Sequence, residues 1–462
     1  MMQIQSRDAV IKALTDLLGD RLSTGSSVLA LHASDEGYQA PATPDAVAFP
    51  LCTQDVSDII KICAAHHCPV IPYGVGTSLE GHVIPYSGGV TIDMSRMNTI
   101  LKVNDSDLNA VVQPGVTREQ LNTDLRASGL MFSVDPGANA TLGGMAATRA
   151  SGTNAVRYGT MAENVLALEV VMADGRIIRT GSKARKSSAG YDLTHLFVGS
   201  EGTLGIITEL TVRLFGQPEA ISSATCAFDT VADAVNAVIL AIQSGLPVAR
   251  IELLDATQMS GMQKAYPELD FAAQPQLFLE FHGTDSGVTE QTKTFAEISQ
   301  EFGGSAFKWA TKAEERNALW RARHEAFYVG KTLRPGSTAL VTDCCVPISA
   351  LAPCIEKAQG LIAQSGLISP IVGHVGDGNF HMLILVEPGN LDEMKRAENL
   401  AHQVNMTALE FGGTVTGEHG VGVGKKKYMA DQHGDAFGIM GDIKRAMDPL
   451  NIMNPGKIVD TN

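Results

Sequence analysis

Between Gly373 and His381 the chain reads Gly-His-Val-Gly-Asp-Gly-Asn-Phe-His, with an apolar run on either side. Asp377-Gly378 is a two-residue hairpin signal, and such a turn pairs Gly376 with Asn379, Val375 with Phe380 and His374 with His381. Directly opposed residues share a face, their Cβ atoms ~4.5–5.5 Å apart, so two imidazoles so placed can hold one metal ion. A wider loop weakens that geometry without abolishing it. A second cluster, Thr416-Gly417-Glu418-His419-Gly420-Val421-Gly422, offers a carboxylate and an imidazole flanked by glycine. Two histidines and a carboxylate (His374, His381, Glu418) leave coordination positions open, as a catalytic divalent centre requires. Either cluster alone is equally a set of hydrogen-bonded histidines in glycine-rich turns. Both together in one domain, with Asn379 and Arg323 at hand, favour the metal.

Four other segments are rich in backbone donors. The first, Gly74-Val75-Gly76-Thr77-Ser78-Leu79-Glu80-Gly81-His82, directly follows an apolar strand. It is not the G-x-G-x-x-G dinucleotide fingerprint, because Gly81 stands too far from Gly76, which disfavours a nicotinamide-dinucleotide site. Glycines and hydroxyls at this density still make a nest of N–H donors suited to a pyrophosphate. The others are Asp135 to Gly144, Ala150 to Asn154 and Val198 to Thr208. Each is a turn in isolation; their order within one domain carries the case. Gly420 to Lys427 lacks the Walker spacing, and neither an H-E-x-x-H helix nor a G-x-S-x-G elbow occurs.

Periodicity supplies the elements that must position these groups. Residues Ser6 to Asp20 read as an amphipathic helix. Val47 to Leu51 reads as a strand, followed by a helix capped by Thr53 with Val56, Ile59, Ile60 and Cys63 on one face, then a strand at Val70 to Tyr73. Further strands are expected at Gly89–Met94, Ala110–Gln113, Leu166–Val171 and Gly205–Leu214, a helix capped by Thr117, and a turn at Asp174-Gly175. Beyond Ala220, strands at Leu277–His282, Ala339–Val346 and Ile371–Leu385 alternate with helices at Val231–Ser244, Ser349–Ser365 and Leu391–Glu410. The fold class is α+β.

Composition narrows the function. At 462 residues the chain has room for more than one domain. A net charge of −15 argues against nucleic acid as a partner, since phosphate-backbone binding needs a basic footprint. Seven cysteines without a C-x-x-C pair fit reduced thiols and exclude an iron–sulfur cluster within the chain. The apolar run at Ala234–Ile242 is too short to span a membrane, and the first residues show no targeting pattern, so the expected location is cytoplasmic, with peripheral membrane contact open.

The four glycine loops in this order resemble the FAD-binding domain of the vanillyl-alcohol oxidase/p-cresol methylhydroxylase superfamily. The resemblance is to its D-lactate dehydrogenase (cytochrome), glycolate oxidase large-subunit and D-2-hydroxyglutarate dehydrogenase branch, from about Pro41 to Lys457. It implies a two-part FAD-binding domain over 1–218 (core from about 42), a substrate or cap domain with an antiparallel sheet and the metal site over 219–430, and a segment over 431–462 returning to the first domain. By the same resemblance Gly74, Gly76, Thr77, Ser78 and Gly81 bind the pyrophosphate. Pro136, Gly137, Thr141, Gly143, Gly144, Gly152 and Thr153 line the flavin; Glu201, Gly205 and Ile206 meet the adenosine end; Asn454 and Lys457 close over the ring. Thr77 stands where covalent members carry the flavin-linking histidine, so the FAD is expected to be non-covalent, and His82 reads as the ordinary residue after the turn.

In metal-dependent members the residues matching His374, His381 and Glu418 bind zinc or a similar divalent ion such as manganese, and the histidine matching His419 is the base. Arg323, within Trp320 to His324, matches the substrate-carboxylate position, with Asn379 as a helper; a guanidinium suits it because its planar fork grips a carboxylate through paired hydrogen bonds. The implied activity is oxidation of a small D-2-hydroxy acid, D-lactate first, with electrons passed to a cytochrome, a quinone or an electron-transfer flavoprotein. Glycolate and D-2-hydroxyglutarate stay open as substrates. So do a flavin-dependent transferase or a non-catalytic flavoprotein subunit on the same fold, and a homodimer as the assembly.

Overall fold

The computed structural model describes residues 4–184 and 186–461. They fall into two compact units, Met1–Ser151 with Gly159–Gln217 and Glu418–Asn462, and Gly152–Tyr158 with Pro218–Gly417.

Among the described residues the first unit holds three sheets, the smallest only the antiparallel pair Leu130–Met131 and Phe215–Gly216. Strands β1 (Leu22–Ser23), β2 (Ala46–Ala48), β3 (Val70–Tyr73) and β4 (Val90–Asp93) lie in the order β1-β2-β4-β3, with β2 and β3 both parallel to β4. The crossover between β2 and β3 is the helix Thr53–Ala65, which buries Val56, Ile59, Ile60 and Cys63 at the spacing of one helical face. Thr53 is its first residue rather than its cap: Cys52 takes the cap position, and the Thr53 hydroxyl donates to Glu169 at 2.6 Å. A nearly buried carboxylate, a stronger acceptor than water, draws that hydroxyl away from the helix end.

The second sheet comprises β5 (Ile100–Asn104), β6 (Asn109–Val112), β7 (Val165–Val171), β8 (Ile177–Gly181) and β9 (Ile206–Arg213), in the order β5-β6-β9-β7-β8 and antiparallel throughout. Asp174-Gly175 turns β7 into β8 as expected, Gly175 at φ +81°. The helix Leu142–Thr148 packs Leu142, Met145 and Ala146 into the core with Val112, Val170 and Leu210.

The second unit is one antiparallel sheet of eight strands: β10 (Ala220–Ala227), β11 (Val248–Leu254), β12 (Gln276–Gly283), β13 (Ser305–Ala310), β14 (Thr338–Val341), β15 (Cys344–Cys345), β16 (Ile371–His374) and β17 (Asn379–Val386). Their order is β13-β10-β12-β11-β16-β17-β14, with β15 also on β17. The run expected at Ala339–Val346 is thus two strands, broken at Thr342-Asp343, whose polar side chains are wholly buried.

Strand alternation gives the sheet two unlike faces. Ile251 and Leu253 of β11, Leu277, Leu279 and Phe281 of β12, and Phe380, Met382 and Ile384 of β17 point one way, into a core shared with the helices Val231–Gln243, Asp285–Glu301, Ile348–Ser365 and Leu391–Glu410. The intervening residues Arg250, Glu252, Glu280, His282, Asn379 and His381 take the opposite face, where the helix Ala313–His324 and its neighbours cover an apolar remainder of Leu254, Phe278, Val372 and Trp320. Residues Gly152–Tyr158 dock by polar contacts: the Tyr158 hydroxyl meets His282 Nδ1 at 2.7 Å, and Asn154 accepts from Arg250 at 2.9 Å. Among the described residues no helix is long and apolar enough to cross a membrane.

Phe281 is fully buried against Phe295, their ring centroids 6.2 Å apart. Phe281→Ala should destabilise the second unit by about 3–5 kcal/mol, read as a lower denaturant midpoint. A cost below about 1 kcal/mol would mean that this face is not a packed core.

Candidate active site

His374 ends β16 and His381 sits in β17, but they do not oppose each other as the tight turn required. The register is His374 with Asn379, Gly373 with Phe380 and Val372 with His381. The loop is four residues, Val375 to Gly378, closed by Asp377 N–H to His374 O (3.0 Å) and docked by Val346 N–H to Gly378 O (3.0 Å). Gly378 lies at φ +78°, and a Cβ there would come within 2.1 Å of Val346 O. The wider loop therefore packs on the chain after β15, and the histidines become diagonal neighbours on one face. They still meet, their rings edge to face at a centroid distance of 5.4 Å.

Each imidazole is oriented from behind. His374 Nδ1 donates to Glu252 Oε1 at 2.8 Å, and His381 Nδ1 donates to Thr342 O at 3.1 Å, with Asp343 Oδ1 3.6 Å away. Acceptors at both Nδ1 atoms put the hydrogen there and the ring lone pair on Nε2, the arrangement usual for metal-binding histidines. Glu252 takes a second donor, Arg323 Nη2, at 2.5 Å. Burial acts to raise the Glu252 carboxyl, but the hydrogen bonds it accepts from His374 and Arg323, with the guanidinium charge beside it, outweigh that and hold it below the ordinary carboxylate range. Arg323 is itself 8% exposed, and its Nε finds no acceptor among the described residues; Asn379 Oδ1 is likewise buried without a donor. Buried unsatisfied polar atoms call for a partner, and a ligand carboxylate and hydroxyl would supply it.

Asp343, wholly buried, accepts from Asn379 Nδ2 and Thr416 Oγ1, both at 2.8 Å, while Gly417 N–H donates to its carbonyl at 3.1 Å. Gly417 is required by close approach, since a Cβ would lie 2.4 Å from Asn379 Nδ2. Glu418 and His419 follow directly and group with the first unit, Glu418 Oε1 4.0 Å from His419 Nε2.

Within the first unit three glycine loops and the C-terminal segment converge. A Cβ on Gly74 would meet Thr141 Oγ1 at 2.5 Å, so loop one packs on loop two, and one on Gly202 would meet Pro72 of β3 at 2.2 Å, so loop four packs on the strand that leads into loop one. Gly199 and Glu201 N–H groups donate to Ala146 O and Ala147 O, hanging the fourth loop on the helix Leu142–Thr148. Asn454 Nδ2 spans His82 O (3.0 Å) and Glu201 O (2.7 Å). Among the described residues the N–H groups of Gly76, Thr77, Ser78 and Leu79 meet no acceptor, an open set of donors of the kind that cradles phosphate. The third loop divides, with Gly152 and Thr153 in the second unit.

Two family models account for most of the chain: the FAD binding domain matches residues 44–181 and the C-terminal domain of FAD linked oxidases matches residues 217–458. The chain belongs to the FAD-linked oxidase family. It is similar to a probable mitochondrial D-lactate dehydrogenase of Danio rerio, 46% identical over 98% of this chain and 92% of that one. It is also similar to a mitochondrial D-lactate dehydrogenase [cytochrome] of Arabidopsis thaliana, 42% identical over 97% and 80% of the two chains. Substrate-bound p-cresol methylhydroxylase shares the fold, with a TM-score of 0.79 at 19% identity, covering 99% of this chain and 98% of that structure. The protein is an FAD-linked oxidoreductase, and the donors of the first loop fit the cofactor's pyrophosphate.

In this family member, sequence reasoning passed over Glu252, Asp343 and His82. Glu252 had a signal, an acid that alternates with Arg250 between the apolar Ile251, Leu253 and Leu254. His82, read as an ordinary residue after the turn, is buried 3.2 Å from Glu201, whose carboxylate also accepts from Val421 N–H (2.6 Å) and Gly422 N–H (2.8 Å). Burial acts to lower the His82 pKa, but Glu201, Glu80 and Asp35 raise it above its ordinary value.

Lys457 is 1% exposed, donates to Ile84 O at 2.7 Å, and is pushed down to about 8 by burial against the opposing pull of Glu201 and Asp35. Between that value and the unfolded ~10.4 the unfolded chain binds the extra proton, so stability from this group rises with pH. In FAD-free protein, wild type should gain on the order of 2–3 kcal/mol relative to Lys457→Met between pH 8 and 10.5, by denaturant titration. A flat difference would contradict the buried, depressed lysine.

Proposed function

We propose that the protein oxidises a small D-2-hydroxy acid, D-lactate first, to the 2-oxo acid, with dissociable FAD and a divalent metal ion. The supporting observation is the pair of oriented imidazoles, His374 and His381, on the polar sheet face, with a buried arginine of the covering helix, Arg323, tied to His374 through Glu252 and keeping an unused donor. The two relatives above carry D-lactate dehydrogenase in their names, and one of them cytochrome.

In this reading Arg323 grips the substrate carboxylate and Asn379 helps to orient it, which sets the Cα hydrogen toward the flavin. His419 takes the hydroxyl proton as general base. His374, His381 and Glu418 hold zinc or manganese, which when bound supplies Lewis acidity at the substrate hydroxyl. Bound FAD would supply the hydride acceptor, and an external acceptor, a cytochrome by analogy with the plant relative, would take up the two electrons. Gly74, Gly76, Thr77, Ser78 and Gly81 take its pyrophosphate; Pro136, Gly137, Thr141, Gly143, Gly144, Gly152 and Thr153 take the flavin. Glu201, Gly205 and Ile206 take the adenosine end, with Asn454 and Lys457 over the ring. Thr77 has no imidazole for the bond by which covalent members hold their flavin, so denaturation should release the FAD. Arginine at the carboxylate and a base on one side of the hydroxyl make the reaction stereospecific.

Anaerobic D-lactate should bleach the bound flavin and L-lactate should not. His419→Ala should keep FAD and metal while slowing that bleaching by about 10²–10⁴-fold. Equal bleaching by both enantiomers, or unchanged reduction in the variant, would remove the substrate or the base assignment respectively.

A further inference from the structure

Glu252 sits mid-strand in β11 with a side chain 1% exposed, and its two oxygens face different partners: Oε1 takes His374 Nδ1 at 2.8 Å, and Oε2 takes Arg323 Nη2. We propose that Glu252 is a positioning residue that sets the metal ligand and the substrate arginine with one carboxylate, so that metal affinity and substrate grip fall together when it is altered. The inference rests on the reading of His374 as a ligand and Arg323 as the carboxylate-binding group.

The geometry carries it in three steps. An imidazole whose Nδ1–H is held by a carboxylate is fixed in tautomer and ring orientation, and removing such a partner typically costs 10–100-fold in metal affinity or activity. A guanidinium held through Nη2 cannot rotate freely, so its remaining donors keep one direction; the buried Nε, without an acceptor among the described residues, is one of them. Finally, the neighbours of Glu252 on this face, Leu254 and Phe278, show that the sheet packs well with apolar side chains there. A buried carboxylate is costly in such surroundings unless its partners use it, and both partners here belong to the proposed chemistry.

Charge and position make opposite forecasts. If Glu252 only neutralised Arg323, Glu252→Gln would leave the arginine's charge unopposed and draw an anionic substrate in more tightly, lowering KM. If it positions, the amide cannot accept from both partners at once, and both functions suffer. Wild type, Glu252→Gln and Glu252→Asp are compared as FAD-loaded enzymes in three measurements: Mn²⁺ affinity of chelator-treated protein by calorimetry, KM and kcat for D-lactate with saturating metal, and thermal unfolding. The expected result is Mn²⁺ affinity weakened 10–100-fold and KM raised on the order of tenfold, as one charge-assisted contact is misdirected, with FAD content unchanged. Glu252→Asp keeps the charge but withdraws it by one methylene, and it should show the same paired loss if the glutamine variant does not fold. Wild-type Mn²⁺ binding with both constants unchanged in the variants, or a lowered KM in Glu252→Gln, overturns the role of Glu252 alone. Wild type that binds no Mn²⁺ overturns the metal reading and this inference with it.

Discussion

A charge placed inside a protein must be matched at once by partners, because several kcal/mol of lost hydration stand against it. The second unit is organised around that constraint. One face of its sheet is given over to aliphatic and aromatic packing, and the other carries Arg250, Glu252, Glu280, His282 and His381, each buried or nearly so and each tied to a neighbour. Alternation along the strands alone decides which residue falls on which side. A polar row therefore forms in the middle of a rigid sheet, where side chains have little freedom to drift.

The two imidazoles illustrate how much such a scaffold tolerates in its turns. A four-residue loop replaces the tight hairpin and shifts the register by two residues, yet both histidines stay on the same face because the shift is even. A slip by one would have sent His381 into the apolar core and turned Phe380 out onto the polar face. The loop is held by Val346 and by Gly378 in a left-handed conformation, so the outcome depends on a chain segment far from it in sequence.

That distance explains what was legible. The long helices Val231–Gln243 and Leu391–Glu410, the strands β4, β7 and β9 and the Asp174-Gly175 turn stand close to where periodicity and turn chemistry put them. Strands β10 and β11 escaped because Ser222-Ser223, Arg250 and Glu252 interrupt their apolar runs, and β13 because most of this edge strand is exposed. The donor loops and histidines were visible by type, and the family resemblance gave them roles. The carboxylates behind the histidines were not, because nothing local marks Glu252 and Asp343 as partners of residues 122 and 38 positions away. Nor did periodicity indicate that Gly152–Tyr158 packs with the second unit through Tyr158 and Asn154.

The most direct test of the account is pulsed electron paramagnetic resonance of Mn²⁺ bound to the purified enzyme. Modulation from imidazole nitrogen should appear in wild type, weaken in His374→Ala and in His381→Ala, and vanish when both are replaced. A Mn²⁺ signal with water coordination alone, or nitrogen modulation that survives the double replacement, would contradict it.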